Sequence, residues 1–458
     1  MNQNHFESLY PADSRLEEVS QIVSYIREGT SCQLVGLPGS GRGNILALMA
    51  FNREIRKKHF GEYQVWIHFV SMNFSEVRAR DVKDVMKYLF LSLADSVRDR
   101  NMDEAYSHVT QLFRESLVLN DEFVLFQGLK NAIEYLALEK KLTIVFLFDR
   151  FDEYLPGLTS EFFANLRVLR DRAKFRFSVV FSVNRPLEEN VEEGLIADFY
   201  DYIAGHHVYV SFYDKASSMF RLSYLQKVTG RTLPEAVVDE VFRLTSMHER
   251  LLRMSFEAIF LPASPYAHVT ESSLIKEPEL THLATYLLQQ KPIQKALKHI
   301  EQVLIPQEQR VLCTKHFMKD LPIDSLHYLE HVGLIKHEDI EPPLLALYLG
   351  EKRKTATHTY PFVFNRATNT IRRGEEIISE QLTAAEFRLL SYLMQHAEQT
   401  IERDEIINRV WAGSKTTLGV TDQALDQLVF RVRKKIETDP NTPEHLLTVK
   451  GRGFKFII

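Results

Sequence analysis

Leu425, Leu428, Val432 and Ile436 recur at spacings of three and four near the end of the chain, and no other feature narrows the fold as much. Such spacing is the helical period, so one side of a helix through this stretch has to be buried. The residues it leaves outside are Gln423, Asp426, Gln427, Phe430, Arg431 and Lys434, and Arg433 and Lys435 add to the charge of the same segment. A charge run is ordinarily the solvated face of a helix. What surrounds this one makes it more informative. Leu382-Thr383-Ala384-Ala385-Glu386-Phe387 opens an earlier helix, and Thr448-Val449-Lys450-Gly451-Arg452-Gly453-Phe454 follows as a short ribbon with Lys450 and Arg452 on either side of a glycine turn. Phe387, Leu389, Leu390, Leu393, Ile406, Val410 and Trp411 complete an apolar set, with Phe387 and Trp411 as core anchors rather than stacking platforms.

A helix of about 10–12 Å diameter fits the major groove of duplex DNA, and a two-stranded ribbon beside it can reach the flanking backbone. Residues from about 360 to 458 resemble the output domain of OmpR/PhoB-type transcription regulators. The likeness is carried by Leu382-Thr383 with Glu386-Phe387, Arg403 with Glu405-Ile406, Val410-Trp411, Asp426, Arg431, Arg433 and the run Thr448 to Phe454. It implies an α/β winged helix-turn-helix domain that binds double-stranded DNA. Its contacts would come from Gln423, Asp426, Gln427, Phe430, Arg431, Arg433 and Lys434 on the helix, and from Thr448, Lys450 and Arg452 on the ribbon.

The whole chain has a formal net charge of −5, which excludes a protein that coats nucleic acid everywhere and confines any DNA contact to local basic clusters. At 458 residues, two to four domains are expected, and 45% hydrophobic with 26% charged residues is a globular rather than a disordered composition. Cys32 and Cys313 have no metal-ligand spacing, and His206, His207 and His248 lack suitable partners, so no metal beyond Mg²⁺ is expected. Met1 to Tyr10 has neither the basic stretch nor the apolar core of a signal peptide, and no run approaches the ~20 apolar residues of a membrane span. A soluble cytoplasmic protein with no membrane partner is the expectation.

The first half alternates between short apolar runs and helical patterns. Gln33-Leu34-Val35, Gln64 to Val70, Leu142 to Phe148, Phe175 to Val183 and Val208-Tyr209-Val210 read as strands. Residues 16–29, about Asn44 to Lys58, roughly 79–137 and Phe162 to Arg172 read as helices. Strands separated by helices imply a parallel sheet covered on both faces. Between the first strand and its helix lies Gly36-Leu37-Pro38-Gly39-Ser40-Gly41-Arg42-Gly43, the context in which backbone N–H groups and a helix N-terminus converge on phosphate. Against the pattern G-x-x-x-x-G-K-[ST], Arg42 replaces the lysine and Gly43 the Mg²⁺-binding hydroxyl. Asp149 ends the Leu142 strand where a carboxylate would face the metal, but Arg150 follows in place of the usual glutamate. Asp152 and Glu153 lie close by, and Asn184 ends another strand where a γ-phosphate sensor would sit.

With Ser246-Met247-His248-Glu249-Arg250-Leu251-Leu252 opening a later helix, the first 350 residues resemble AAA+/STAND ATPases in which a winged helix follows the helical lid. This implies a multidomain chain: an α/β P-loop NTPase-like parallel sheet over 1–213, a helical lid over 214–290, an inner winged helix over 291–350, a polar linker over 351–359 and the C-terminal domain over 360–458. ATP or ADP, with Mg²⁺, would lie against Gly36, Gly39, Ser40, Gly41, Arg42, Gly43, Asn44, Asp149 and Arg250. The catalytic candidates are Asp149, Asp152, Glu153 and Asn184. Losing both the hydroxyl and the glutamate damages phosphoryl transfer more than binding, so efficient ATP hydrolysis is not expected. The inner winged helix carries modest outward charge and is expected to pack on the lid. The expected function is a DNA-binding transcriptional regulator governed by this nucleotide domain, acting alone or as a homo-oligomer. The alternatives are a STAND-type sensor or defence protein that uses its winged helices for interaction, and an active DNA-associated ATPase.

Overall fold

The structure of the chain is a computed structural model that describes residues 5–118, 121–268, 277–314, 321–337, 339–355, 362–365, 368–373, 376–411, 422–437, 440–441, 443, 445–449 and 451–457. The chain forms two compact units, Met1–Glu351 and Lys352–Ile458.

The first unit is built on five parallel strands, β1 (Cys32–Val35), β2 (Ile67–Asn73), β3 (Thr143–Asp149), β4 (Phe177–Val183) and β5 (His207–Tyr209), in the order β2-β3-β4-β1-β5. β3 is buried through Phe148 and β4 throughout, as the continuous apolar runs require of central parallel strands. One face packs on Val19 and Ile22 of the helix Leu16–Arg27 and on Ile45 and Leu48 of Arg42–Phe51. The other face shares a larger core with helices that follow the sheet in sequence, through Leu252, Leu297, Tyr328 and Leu344. Because β4 pairs with both β1 and β3, the segments that follow Val35, Phe148 and Val183 emerge along one edge of the sheet. In open α/β sheets ligands bind outside the carboxyl ends of the strands.

Several boundaries differ from the sequence pattern for local reasons. The helix expected over about 44–58 is two, Arg42–Phe51 and Arg53–Phe60. Between them Asn52 is fully buried; its side-chain oxygen accepts from the Ile55 N–H (3.0 Å), and its amide donates to the carbonyls of Glu7 (2.9 Å) and Tyr10 (3.0 Å). The stretch 79–137 is three helices, Val82–Asp99, Asp103–Val118 and Glu122–Glu134, the first and third capped by Asp81 and Asp121. The alternation that begins at Gln64 is partly a surface pattern. Gly61–Trp66 winds as a 3-10 turn with Tyr63, Val65 and Trp66 exposed, and β2 starts at Ile67.

Beyond β5 the chain is helical: Lys215–Thr229, Glu235–Thr245, Glu249–Phe260, Glu277–Leu288, Lys291–Gln302, Pro306–Thr314 and Ile323–His331. A two-stranded antiparallel hairpin, Ile335–Lys336 with Asp339–Ile340, precedes the helix Pro343–Thr355. That last helix runs through Glu351-Lys352-Arg353-Lys354, at the start of the polar linker expected over 351–359. Glu, Lys and Arg are all good helix formers, so polar composition alone does not end a helix.

The second unit opens with a three-stranded antiparallel sheet, Phe362–Asn365, Thr370–Arg373 and Glu376–Ile377. Helices Ala384–Gln395, Arg403–Val410 and Asp422–Ile436 follow, and a second sheet joins Thr400–Glu402 and Leu446–Val449 to Gly453–Phe456. Thr383 and Glu386 form a reciprocal capping box at the first helix, worth about 1 kcal/mol for such a cap. Leu425, Leu428, Val432 and Ile436 are buried together with Leu389, Leu390, Leu393, Ile406 and Val410, while Phe387 and Trp411 pack at the edge of that core.

Candidate functional site

The glycine loop spans β1 and the helix Arg42–Phe51. Gly39 (φ 87°) and Gly41 (φ 107°) take left-handed conformations, and both lie against the helix Glu249–Phe260. A Cβ on Gly39 would stand 2.7 Å from the Cβ of Arg250, and one on Gly41 would meet the Glu249 carboxylate and the Arg15 guanidinium. The Arg250 N–H also donates to the Gly39 carbonyl at 3.0 Å. The glycines therefore let the helix Glu249–Phe260 pack directly on the loop. Arg15, only 2% exposed, fastens the loop from the opposite direction, donating to the carbonyls of Ser40 (2.8 Å) and Ser211 (2.6 Å) and pairing with Glu18 (3.1 Å) and Asp214 (3.4 Å). Sequence reasoning missed Arg15, because its partners lie up to 199 residues away.

A cavity of about 420 Å³ opens over the loop. It brings together most of the expected residues: Gly39, Gly41, Arg42 and Gly43 of the loop, Asp149, Asp152, Glu153 and Asn184 at the sheet edge, and Arg250 of the helix Glu249–Phe260. Arg221, Glu249, Arg253 and His299 also line it and carried no sequence signal beyond their helices. Gly36, Ser40 and Asn44 do not line it. The Ser40 side chain is fully buried, and neither its hydroxyl nor the Asn44 amide has a hydrogen-bond partner among the described residues. Asp149 and Asp152 are set by their neighbours, since Phe148 and Phe151 are fully buried with ring centroids 6.0 Å apart, and Arg150 between them takes a left-handed turn (φ 54°).

The charges in the cavity are largely neutralised within the protein. Arg42 pairs with Asp152 (3.1 Å) and donates to the Asn184 side-chain oxygen (2.8 Å), while the Asn184 N–H donates to the other Asp152 oxygen (2.7 Å). Glu153 pairs with Arg78 and with Arg150 (3.7 Å), and Glu249 with Arg221 (3.2 Å). Burial raises the Asp149 carboxyl above the usual carboxylate range, partly offset by Arg42 and Arg150. Burial, then the neighbouring Arg253 and Arg150, lowers Arg250, and burial with Arg250 and Arg42 lowers His299. Among the described residues Arg250 is the cavity arginine without a carboxylate in ion-pair range, which leaves it available to an anion.

The C-terminal unit presents the opposite arrangement. Gln423, Asp426, Gln427, Phe430, Arg431 and Lys434 are all exposed on the helix Asp422–Ile436, as are Thr448 and Arg452 on the hairpin. Arg431 keeps 58% of its side chain exposed with Glu386 at 3.6 Å, and the Lys434 ammonium lies 5.0 Å from the Phe430 ring centroid. Asp426 is paired with Arg403 at 2.7 Å. Arg433 departs from its expected place: half-buried, it donates to the Leu446 carbonyl (2.9 Å) and the Thr448 hydroxyl (2.8 Å) and so ties the hairpin to the helix. Burial lowers its pKa. Gly453 (φ 150°) is required because a Cβ there would collide with the Ile401 carbonyl of the adjoining strand. Lys450 lies outside the described residues.

Residues 377–456 match the family described as "Transcriptional regulatory protein, C terminal". The chain is 45% identical over 74 residues to the sensory transduction protein RegX3 of Mycobacterium tuberculosis, covering 16% of this chain and 31% of that protein. It is 38% identical over 84 residues to a probable transcriptional regulatory protein of Picosynechococcus, covering 18% and 31%. The chain thus spans about a third of the length of the curated relatives it matches. Among solved structures, the DNA-binding domain of Klebsiella pneumoniae RstA in complex with the RstA box is 25% identical, with a TM-score of 0.18 over 21% of this chain and 90% of that one. A Walker-type ATPase of Pyrococcus abyssi is 15% identical, with a TM-score of 0.41 over 76% and 100%. The Aeropyrum pernix ORC1 protein in complex with DNA is 13% identical, with a TM-score of 0.36 over 78% and 88%. The C-terminal unit is a winged-helix domain of the OmpR/PhoB transcription-regulator type, and the N-terminal unit carries a five-stranded parallel α/β sheet. Among the described residues no helix is long and apolar enough to cross a membrane.

Proposed function

We propose that the chain is a sequence-specific, DNA-binding transcriptional regulator whose C-terminal winged helix is controlled by a degenerate nucleotide-binding unit. One observation carries the DNA reading. Within the matched region, one helix buries its apolar stripe and leaves Gln423, Gln427, Arg431 and Lys434 exposed together, with Arg452 exposed on the adjoining hairpin. Base edges are read by side chains such as Arg and Gln in the major groove, while cations on the ribbon hold phosphate.

A nucleotide fits the cavity, whose size falls within the roughly 300–1,000 Å³ usual for small-molecule sites. Loop N–H groups and Arg250 would hold its phosphates, with turnover slow at best because no carboxylate directly follows Asp149. Control is supported by the connection behind the cavity. Asn184 accepts from Arg42 through its side chain and from the Tyr328 hydroxyl (2.9 Å) through its backbone carbonyl. The next residue, Arg185, is ion-paired with the fully buried Glu308 and stacks 3.9 Å from the Tyr328 ring centroid. Residues 214–290 act in this reading as the lid and 291–350 as an inner winged helix that receives the signal. Ligand-dependent orientation of these parts would set the presentation or self-association of the DNA-binding domain.

Footprinting of the full chain on genomic fragments tests the reading. Discrete protected sites are expected; uniform, sequence-independent protection, or none, contradicts it.

A further inference from the structure

We propose that the cavity takes its nucleoside di- or triphosphate as the metal-free anion, with the Arg42 guanidinium supplying positive charge that Mg²⁺ supplies in an intact P-loop site. This inference rests on the nucleotide reading above and names the ligand form.

The protein groups that would hold a divalent ion are missing or already engaged. Mg²⁺ demands near-octahedral oxygen ligation and in such sites is bound by one or two protein oxygens together with the phosphates. Gly43 supplies no side-chain oxygen. Both Asp152 oxygens are bonded, one to Arg42 at 3.1 Å and the other to the Asn184 N–H at 2.7 Å. Asp149 remains, with its two oxygens 3.2 Å and 3.3 Å from where a Cβ on Gly43 would stand. Mg²⁺ is therefore left with Asp149 alone, without the loop hydroxyl that completes an intact site.

The cations, by contrast, suit an anion that carries its full charge. Five arginines line the cavity, Arg42, Arg150, Arg221, Arg250 and Arg253, against four carboxylates, Asp149, Asp152, Glu153 and Glu249. Arg250 is the surplus charge. Its backbone is bonded to Gly39, and its Nε lies 3.0 Å from where a Cβ of Gly39 would be, so its side chain lies directly against the phosphate-cradling turn. Burial, then the cationic Arg253 and Arg150, lowers its pKa, and an anion relieves that crowding of charge. Arg42 lies on the same loop, fixed by Asp152 and Asn184, and its planar fork keeps donors for phosphate oxygens as a fixed, non-exchangeable positive charge.

The test is calorimetric titration of the full chain with ADP and with ATP, each in EDTA and in excess Mg²⁺. The expected result is binding in EDTA at least as tight as in Mg²⁺. A loss of about tenfold or more on chelation overturns the proposal while leaving nucleotide binding intact. No heat under either condition overturns the nucleotide reading itself and this proposal with it. The double variant Arg42→Lys, Gly43→Ser, shown to be folded by its thermal transition, should gain Mg²⁺ dependence. If it stays as metal-independent as the wild type, Arg42 is not the substitute cation. Should the double variant fail to fold, Arg42→Gln is titrated in EDTA: lost binding supports the assignment and unchanged affinity overturns it.

Discussion

Cations serve two different purposes at the two ends of this molecule. In the cavity, Arg42 is 12% exposed at its side chain and paired, and behind the loop Arg15, buried at 2%, pairs with Glu18 and donates to the Ser40 carbonyl. On the C-terminal helix, Arg431 is 58% exposed, and the exposed Lys434 ammonium lies over the Phe430 ring. Buried, mutually bonded charge holds an arrangement in place and responds as a unit, whereas exposed charge is a surface waiting for a polyanion. The difference teaches that basic residues in this chain cannot be read as ligand contacts from charge alone; their partners decide it.

The contrast can be broken most forcefully at Arg185 and Glu308, the most buried ion pair behind the cavity. Arg185→Ala leaves a carboxylate uncompensated in the core and should destabilise the N-terminal unit by about 3–5 kcal/mol in urea unfolding. A change near zero would mean that the pair is not acting as buried charge.

Acid should separate the units next. Burial pushes His68 and His248 from the usual 6.5 down to about 3, so both stay neutral in the folded chain while the unfolded chain takes up protons. The unfolded state therefore binds more protons between those values, and stability falls as pH drops through that window, by up to about 1.4 kcal/mol per pH unit for each histidine. Unfolding curves between pH 7 and 4 should show this loss in the N-terminal unit, and replacing His68 by Gln should reduce the slope.

On the exposed side, Arg431→Ala should cost about 1–3 kcal/mol on the preferred site and alter the motif recovered by binding-site selection. An unchanged motif would remove Arg431 from base readout. Arg452→Ala should have the smallest and least selective effect, weakening all sequences alike and lowering the salt slope by about one unit. A slope identical to wild type would place that guanidinium away from phosphate.

Much of the C-terminal surface was legible because helical period alone assigns faces: burying Leu425, Leu428, Val432 and Ile436 leaves Gln427 and Arg431 outside. Arg433 was not legible, since its partners belong to a strand whose position beside the helix is a tertiary fact. The glycine loop, the β3 carboxylate and the alternation of strands and helices could likewise be read locally. Arg42 could be seen to replace lysine, but its capture by Asp152 and Asn184 joins residues 110 and 142 positions apart. Helix boundaries failed where one polar side chain decides them, as at Asn52, whose buried amide ends one helix and caps the next.

In the proposed regulator, paired charge in the N-terminal unit governs exposed charge in the C-terminal one. The most direct test is a gel shift on one selected DNA site, comparing the full chain with the 358–458 fragment, each with and without nucleotide. Nucleotide should change the full chain's affinity or stoichiometry by about five- to 150-fold, the range of ordinary allosteric coupling, and leave the fragment unchanged. Equal affinity and equal stoichiometry for both proteins, whatever the nucleotide, would contradict the account.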